Sequence, residues 1–153
     1  MELARDENWM RQALELAKAA FAEGEVPVGA LVVCQEAVVG RGRNRKERLA
    51  DPTAHAEMEA LRQAAHNLGR WRLGDCTLYA TLEPCPMCMG ALLAARIRRL
   101  VFGCRDPKAG AAVSLYRLAE DERLNHRFEV VEGVLGEEAA ELLRRFFRER
   151  RGQ

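Results

Sequence analysis

A chain of 153 residues that is 48% hydrophobic has the length of one domain and enough apolar material to bury a core around a sheet. Its 24 basic and 23 acidic residues nearly balance, so the net charge of +1 gives no sign for or against a nucleic-acid partner. The longest apolar run, Val26 to Cys34, is too short to cross a bilayer, and MELARDENWM lacks the basic-then-apolar order of a signal peptide, so a cytoplasmic protein with no membrane association is expected.

No repeat, linker or low-complexity tract interrupts the sequence, and residues 1–153 read as a single domain. From about Asp6 to Ala22, Trp9, Met10, Ala13, Leu14, Ala17 and Phe21 recur at helical spacing, and Gly24 ends the run. VPVGALVVC and EAVVGRGRN are β-rich runs joined by a short polar link, the pattern of a hairpin, and the second leads out to Asn44. DPTAHAEMEALRQAAHNLG predicts a helix from about Ala54 to Asn67. DCTLYATLE follows as a strand, then a helix over Pro86 to Ala95, then the strands RRLVFGCR and RFEVVEGVL. The closing helix, GEEAAELLRRFFRER, has acids in its first turn and arginines in its last, in keeping with the helix dipole. Five strands alternating with helices imply an α/β sandwich around a single sheet with at least some parallel pairing.

Five cysteines are an odd number in a chain too large to need staples, so a disulfide framework is not expected. Cys34 and Cys76 fall in strand-like runs and read as small buried hydrophobes. Cys85 and Cys88 differ: three apart at the start of a helix, they lie close enough to chelate one ion, and the helix dipole there favours thiolates. A redox CxxC is the competing reading, but no thioredoxin-like context surrounds the pair.

Zinc is held by thiolates and imidazoles, and a catalytic site offers three protein ligands and keeps one position for water. His55, Cys85 and Cys88 supply that set, while Cys76, Cys104, His66 and His126 lack the spacing of a fourth ligand. His55 and Glu57 would diverge by about 200° inside an ideal helix, so both can face one metal only if His55 sits at the helix's very beginning. Glu57, unliganded but adjacent, can then move a proton between an activated water and the substrate. Glu59, two residues on, is expected to face solvent.

HAE followed by EPCPMC is the signature of zinc nucleobase deaminases. With EVPVGA, the asparagine of GRGRN, DPTAHAE, TLYATLEPC, FGCRDPKAG, LNHR and the terminal FF helix, the chain resembles the tRNA-specific adenosine deaminase family over nearly its full length. HAE and EPCPMC are shared with guanine and cytosine deaminases; TLEPC, DPKAG and LNHR together favour the tRNA family, and a guanine or cytosine deaminase acting on a free base is the alternative.

The resemblance implies a three-layer α/β/α sandwich of the cytidine deaminase-like kind around a mixed five-stranded sheet. It also implies one zinc per subunit on His55, Cys85 and Cys88, with Glu57 as proton shuttle. The reaction would convert the wobble adenosine of a tRNA anticodon loop, such as that of an arginine tRNA, to inosine. Asn44 is implied to contact the flipped base, Asp106 and Lys108 the RNA beside it, and Phe147 and Arg148 the anticodon stem-loop. On spacing alone Phe146 and Phe147 belong to a core-facing stripe with Ala139, Leu142 and Leu143, so one Phe of the pair should pack internally. A homodimer is implied too, with MGALLAARI as its candidate interface.

Overall fold

In the computed structural model, which describes residues 2–152, helix α1 (Glu2–Ala22) starts four residues before the expected Asp6 and buries Met10, Ala13, Leu14, Ala17 and Ala20 along one stripe. Gly24, at φ +79°, turns the chain out of the helix. Strands β1 (Gly29–Cys34) and β2 (Ala37–Arg43) form the expected hairpin, whose tip places Gln35 and Glu36 at φ 51° and 64°, as a tight turn with right-handed twist requires. The first expected strand loses Val26–Val28, where Pro27 has no amide to donate and the Val28 amide turns back to the Val26 carbonyl at 2.9 Å.

A single turn, α2 (Lys46–Leu49), follows, then α3 (Ala56–Leu68), β3 (Cys76–Leu82), α4 (Pro86–Ala94), β4 (Arg99–Cys104), β5 (Glu129–Glu132) and α5 (Gly136–Arg151). The five strands form one mixed sheet in the order β2-β1-β3-β4-β5. The β1 pairings are antiparallel, whereas β3–β4 and β4–β5 are parallel and joined through crossovers.

Helices cover both faces, giving the expected three-layer α/β/α sandwich. Alternate residues of the central strands point each way. Leu31, Val33, Tyr79 and Val101 meet Met10 and Ala13 of α1, and Val32, Leu78, Leu100 and Phe102 join Ala60 of α3 and Met89 and Leu92 of α4. β1 is buried throughout because it is an interior strand with both faces covered. Helix α3 can lie close against the edge strand only because β2 carries Gly40 and Gly42, where a Cβ would collide with the Ala60 and Ala56 carbonyls. That contact fixes the start of α3 beside the C-terminal ends of β2 and β3.

Candidate active site

Two helix starts meet at the C-terminal end of β3. His55 is the N-cap of α3, with extended backbone, and Cys85 is the N-cap of α4, whose Pro86 occupies the first helical position. His55 therefore stands at the helix's very beginning, where the sequence required it. His55 Nδ1 lies 3.6 Å from Cys85 Sγ and 3.5 Å from Cys88 Sγ. A tetrahedral ion about 2.3 Å from sulfur and about 2.05 Å from nitrogen would hold such atoms about 3.6 Å apart, so this spacing and the soft donor set fit a metal ion of the zinc type.

The three donors share protons. The Cys88 thiol, hydrogen-bonded to Cys85, and then His55 and the Cys88 amide outweigh burial and pull Cys85 down to about 3, a thiolate. Cys88, the donor of that bond and itself buried, is pushed well above its ordinary value. His55 is raised by its hydrogen bond to Cys85. Glu57, in the first turn of α3, is 4% exposed, and burial raises its carboxyl to about 7, within reach of proton exchange at neutral pH.

His55, Glu57 and Cys85 border a cavity of about 160 Å³ that Asn44, Lys46, Glu83, Asp106 and Ala109 also line. That is small against the few hundred Å³ of drug-sized sites, so one ring system fits and any larger substrate stays outside. Asn44 is buried and fixed: its side-chain oxygen accepts the Lys46 amide at 3.1 Å. Asp106 Oδ1 accepts the Lys108 and Ala109 amides at 3.1 and 3.2 Å, which turns the loop over the pocket and sends Lys108 outward.

The residues anticipated from sequence thus divide between two places. Asn44, His55, Glu57, Cys85 and Asp106 converge on the cavity, with Cys88 behind it. Lys108, Phe147 and Arg148 instead line a broader hollow of about 650 Å³ with Arg144, Arg150 and Arg151 on α5. Phe146 is the internal member of its pair, edge-on to Phe21, and Phe147 is 45% exposed. Glu59 does not face solvent as expected: it is half-buried, ion-paired to Arg45 at 3.3 Å, because Arg45 at the start of α2 and the Arg43 amide at the end of β2 lie across this face of α3.

Sequence reasoning missed two further acids, Glu25 and Glu83, each 2% exposed. Burial would raise Glu83, but the Ser114 hydroxyl and several backbone amides donate to it and hold it below the ordinary glutamate range. The available signal was a single acid in an apolar stretch beside a turn, in GEVPVG and in TLEPC.

Residues 4–151 match the family profile of the MafB19-like deaminases. The chain is 46% identical over 149 residues to a tRNA-specific adenosine deaminase of Bacillus subtilis, covering 97% of this chain and 92% of that one. Among solved structures, a tRNA:A34 deaminase studied for A-to-I editing at the wobble position superposes with a TM-score of 0.86 at 43% identity, over 89% of this chain and 99% of the other. A guanine deaminase of Bacillus subtilis shares 39% identity over only 65% of this chain and 64% of its own, with a TM-score of 0.62.

Proposed function

The chain belongs to the tRNA-specific adenosine deaminases, and on that premise we propose that it hydrolyses the wobble adenosine of a tRNA anticodon loop, such as that of an arginine tRNA, to inosine and ammonia. The carrying observation is a base-sized cavity lined by His55, Cys85 and the buried Glu57, with Cys88 completing a metal-competent trio just behind it. Zinc is the ion this donor set suits, and when bound it supplies a Lewis acid that activates water at its open position.

The protein's own residues do the rest. Glu57, raised to about 7, is poised to move two protons in turn: the first from the attacking water to a ring nitrogen of the base, the second from the newly added hydroxyl to the departing amine. Asn44 and Asp106, fixed on opposite walls, orient a base that has left its stack, and an anticodon loop offers unpaired bases at little unstacking cost. Lys108, Phe147 and Arg148 provide charge and an aromatic face outside the cavity, suited to the phosphates and bases of the stem-loop.

The whole chain acts as one catalytic domain in this reading, and a tRNA substrate supports a cytoplasmic location; no helix among the described residues is long and apolar enough to cross a membrane. Pro86, Gly90 and Ala94 form an exposed, uncharged face on α4, which supports a homodimer through that helix.

The deciding experiment gives zinc-loaded protein an arginine anticodon stem-loop with adenosine at the wobble position, beside free guanine, cytosine and adenosine. Inosine in the stem-loop alone is the expected result. Ammonia from guanine or cytosine with an untouched stem-loop would retain the metal chemistry and overturn the RNA substrate.

A further inference from the structure

The two acids missed by sequence reasoning do the same thing on opposite sides of the cavity. Glu83 Oε1 accepts the Asp106 amide at 2.9 Å and the Ser114 hydroxyl, while Oε2 accepts the amides of Ala112, Val113 and Ser114 at 3.1, 2.8 and 2.9 Å. The loop wraps this carboxylate so closely that a Cβ on Gly110 would collide with it. Glu25 Oε1 accepts the Glu47 amide at 3.1 Å and Oε2 the Arg48 amide at 2.7 Å, gathering the turn that follows Asn44 and Lys46.

Among the described residues neither carboxylate has an ion-pair partner; peptide and hydroxyl donors alone satisfy them. A buried charge satisfied in this way is costly to keep and geometrically exacting, since its donors converge from one short segment of chain. Those segments carry the cavity walls: Asn44 and Lys46 on the Glu25 side, Asp106 and Ala109 on the Glu83 side.

We infer that Glu25 and Glu83 are positioning residues that clamp the two walls of the pocket, holding the incoming base at reacting distance through the loops they gather. A loop free to move by about 1 Å forfeits on the order of a hundredfold in rate. The kinetic part of this inference rests on the deaminase reading; the structural part does not.

The test uses Glu25→Gln and Glu83→Gln in the full-length, metal-loaded protein. Each swap turns one acceptor oxygen into an amide nitrogen facing backbone N–H donors, so the local clamp must open. Hydrogen exchange is read first. Amides of residues 106–114 in Glu83→Gln, and of residues 47–48 in Glu25→Gln, should exchange at least about tenfold faster, with strands 76–82 and 99–104 unchanged.

Single-turnover deamination well below each variant's melting temperature should then show kcat falling about tenfold or more while KM for the stem-loop, set by contacts outside the cavity, stays within about threefold. Ser114→Ala, which removes one donor, should shift both readouts the same way by less and covers the case in which Glu83→Gln fails to fold. Protection that is unchanged, or lost evenly across the sheet, overturns the clamp. So does a normal kcat in variants whose loops have loosened. Wild-type protein inert on the stem-loop would instead count against the substrate, and the exchange result would stand on its own.

Discussion

The two ends of β3 hold similar donor clusters and use them differently. At the C-terminal end, His55 Nδ1 lies 3.6 and 3.5 Å from the sulfurs of Cys85 and Cys88. At the N-terminal end, Cys34 and Cys76 face each other across β1 and β3, and their sulfurs lie 3.3 and 3.5 Å from the oxygens of Asp75. Distance alone does not separate the clusters. Their surroundings do: Arg70 already holds both Asp75 oxygens, at 2.9 and 3.0 Å, and neither cysteine there begins a helix, as Cys85 does. Burial pushes the Cys76 thiol up, whereas its neighbours pull Cys85 down to about 3.

The same end carries a second buried assembly. Asp6 receives two bonds from the Arg99 guanidinium, at 2.9 and 2.7 Å, and one from the Tyr79 hydroxyl at 2.7 Å, tying α1 to β3 and β4. Both ends border hollows, one of about 520 Å³ beside Asp6, Asp75, Tyr79 and Arg99 and one of about 160 Å³ beside His55 and Cys85. The difference is that the polar groups of the first are saturated by one another and tie elements together, whereas His55 and Cys85, among the described residues, meet only each other and Cys88.

The largest contrast comes from removing one cysteine at each end. Cys88→Ala should lose the metal, activity and part of the stability, because a structural donor and a charge are lost together. Cys76→Ala should keep one ion per chain and full turnover, at about 1 kcal/mol of stability for the lost burial. Metal analysis beside thermal denaturation checks both, and a Cys76→Ala protein short of metal would erase the distinction. Glu57→Gln comes next: metal content and fold should persist while kcat drops about 10²–10⁴-fold, the usual worth of a positioned acid–base group. Retained turnover would remove Glu57 from the chemistry.

How much of this contrast the sequence carried depended on how far apart the cooperating residues lie. The metal donors were legible because two sit in one CxxC and the third in an HxE with its own geometric demand, that His55 begin a helix. Strand and helix types followed from period and from Gly and Pro placement. Glu83 was not legible: its partners are Asp106 and residues 112–114, more than twenty positions away, and only the folded loop brings them together. Asp6 and Arg99 are separated by 93 positions. Glu59 was misjudged for the same reason, since helical phase says nothing about Arg45 at the start of the neighbouring α2.

The stabilising end makes a prediction of its own. Asp6→Ala removes the buried partner of Arg99 but leaves it the more exposed Glu2 and Glu129, each at 2.7 Å, so the cost should fall below the roughly 3–5 kcal/mol of a fully stranded charge while kcat per folded molecule stays intact. The pH dependence has a definite sign. Burial would raise the Asp6 carboxyl, but bonds from Arg99 and Tyr79 outweigh it and hold it below its ordinary 3.8. A depressed folded pKa means that this stabilisation is complete above the unfolded value and fades as pH falls through the folded one. Wild-type melting temperature should therefore drop more steeply below about pH 4 than that of Asp6→Asn, which has no proton to take up there. Parallel curves would show that the network does not couple to folding.

The smallest effect lies on the surface beside the pocket. Arg148 is exposed, paired to Glu141 at 3.3 Å and free to exchange that partner for a phosphate. Replacing it should leave fold, metal and the reaction of a bound base untouched, because it lies outside the cavity. What changes is the electrostatic part of RNA binding. Each phosphate contact contributes about 0.9 to the slope of log affinity against log salt on a duplex and about 0.7 on a single strand, so Arg148→Ala should flatten the slope by somewhat less than one unit. Stem-loop titrations between low and moderate salt measure it directly. A slope that stays the same would mean that the RNA approaches the pocket from another side, and that the basic face of α5 belongs with the solvated surface.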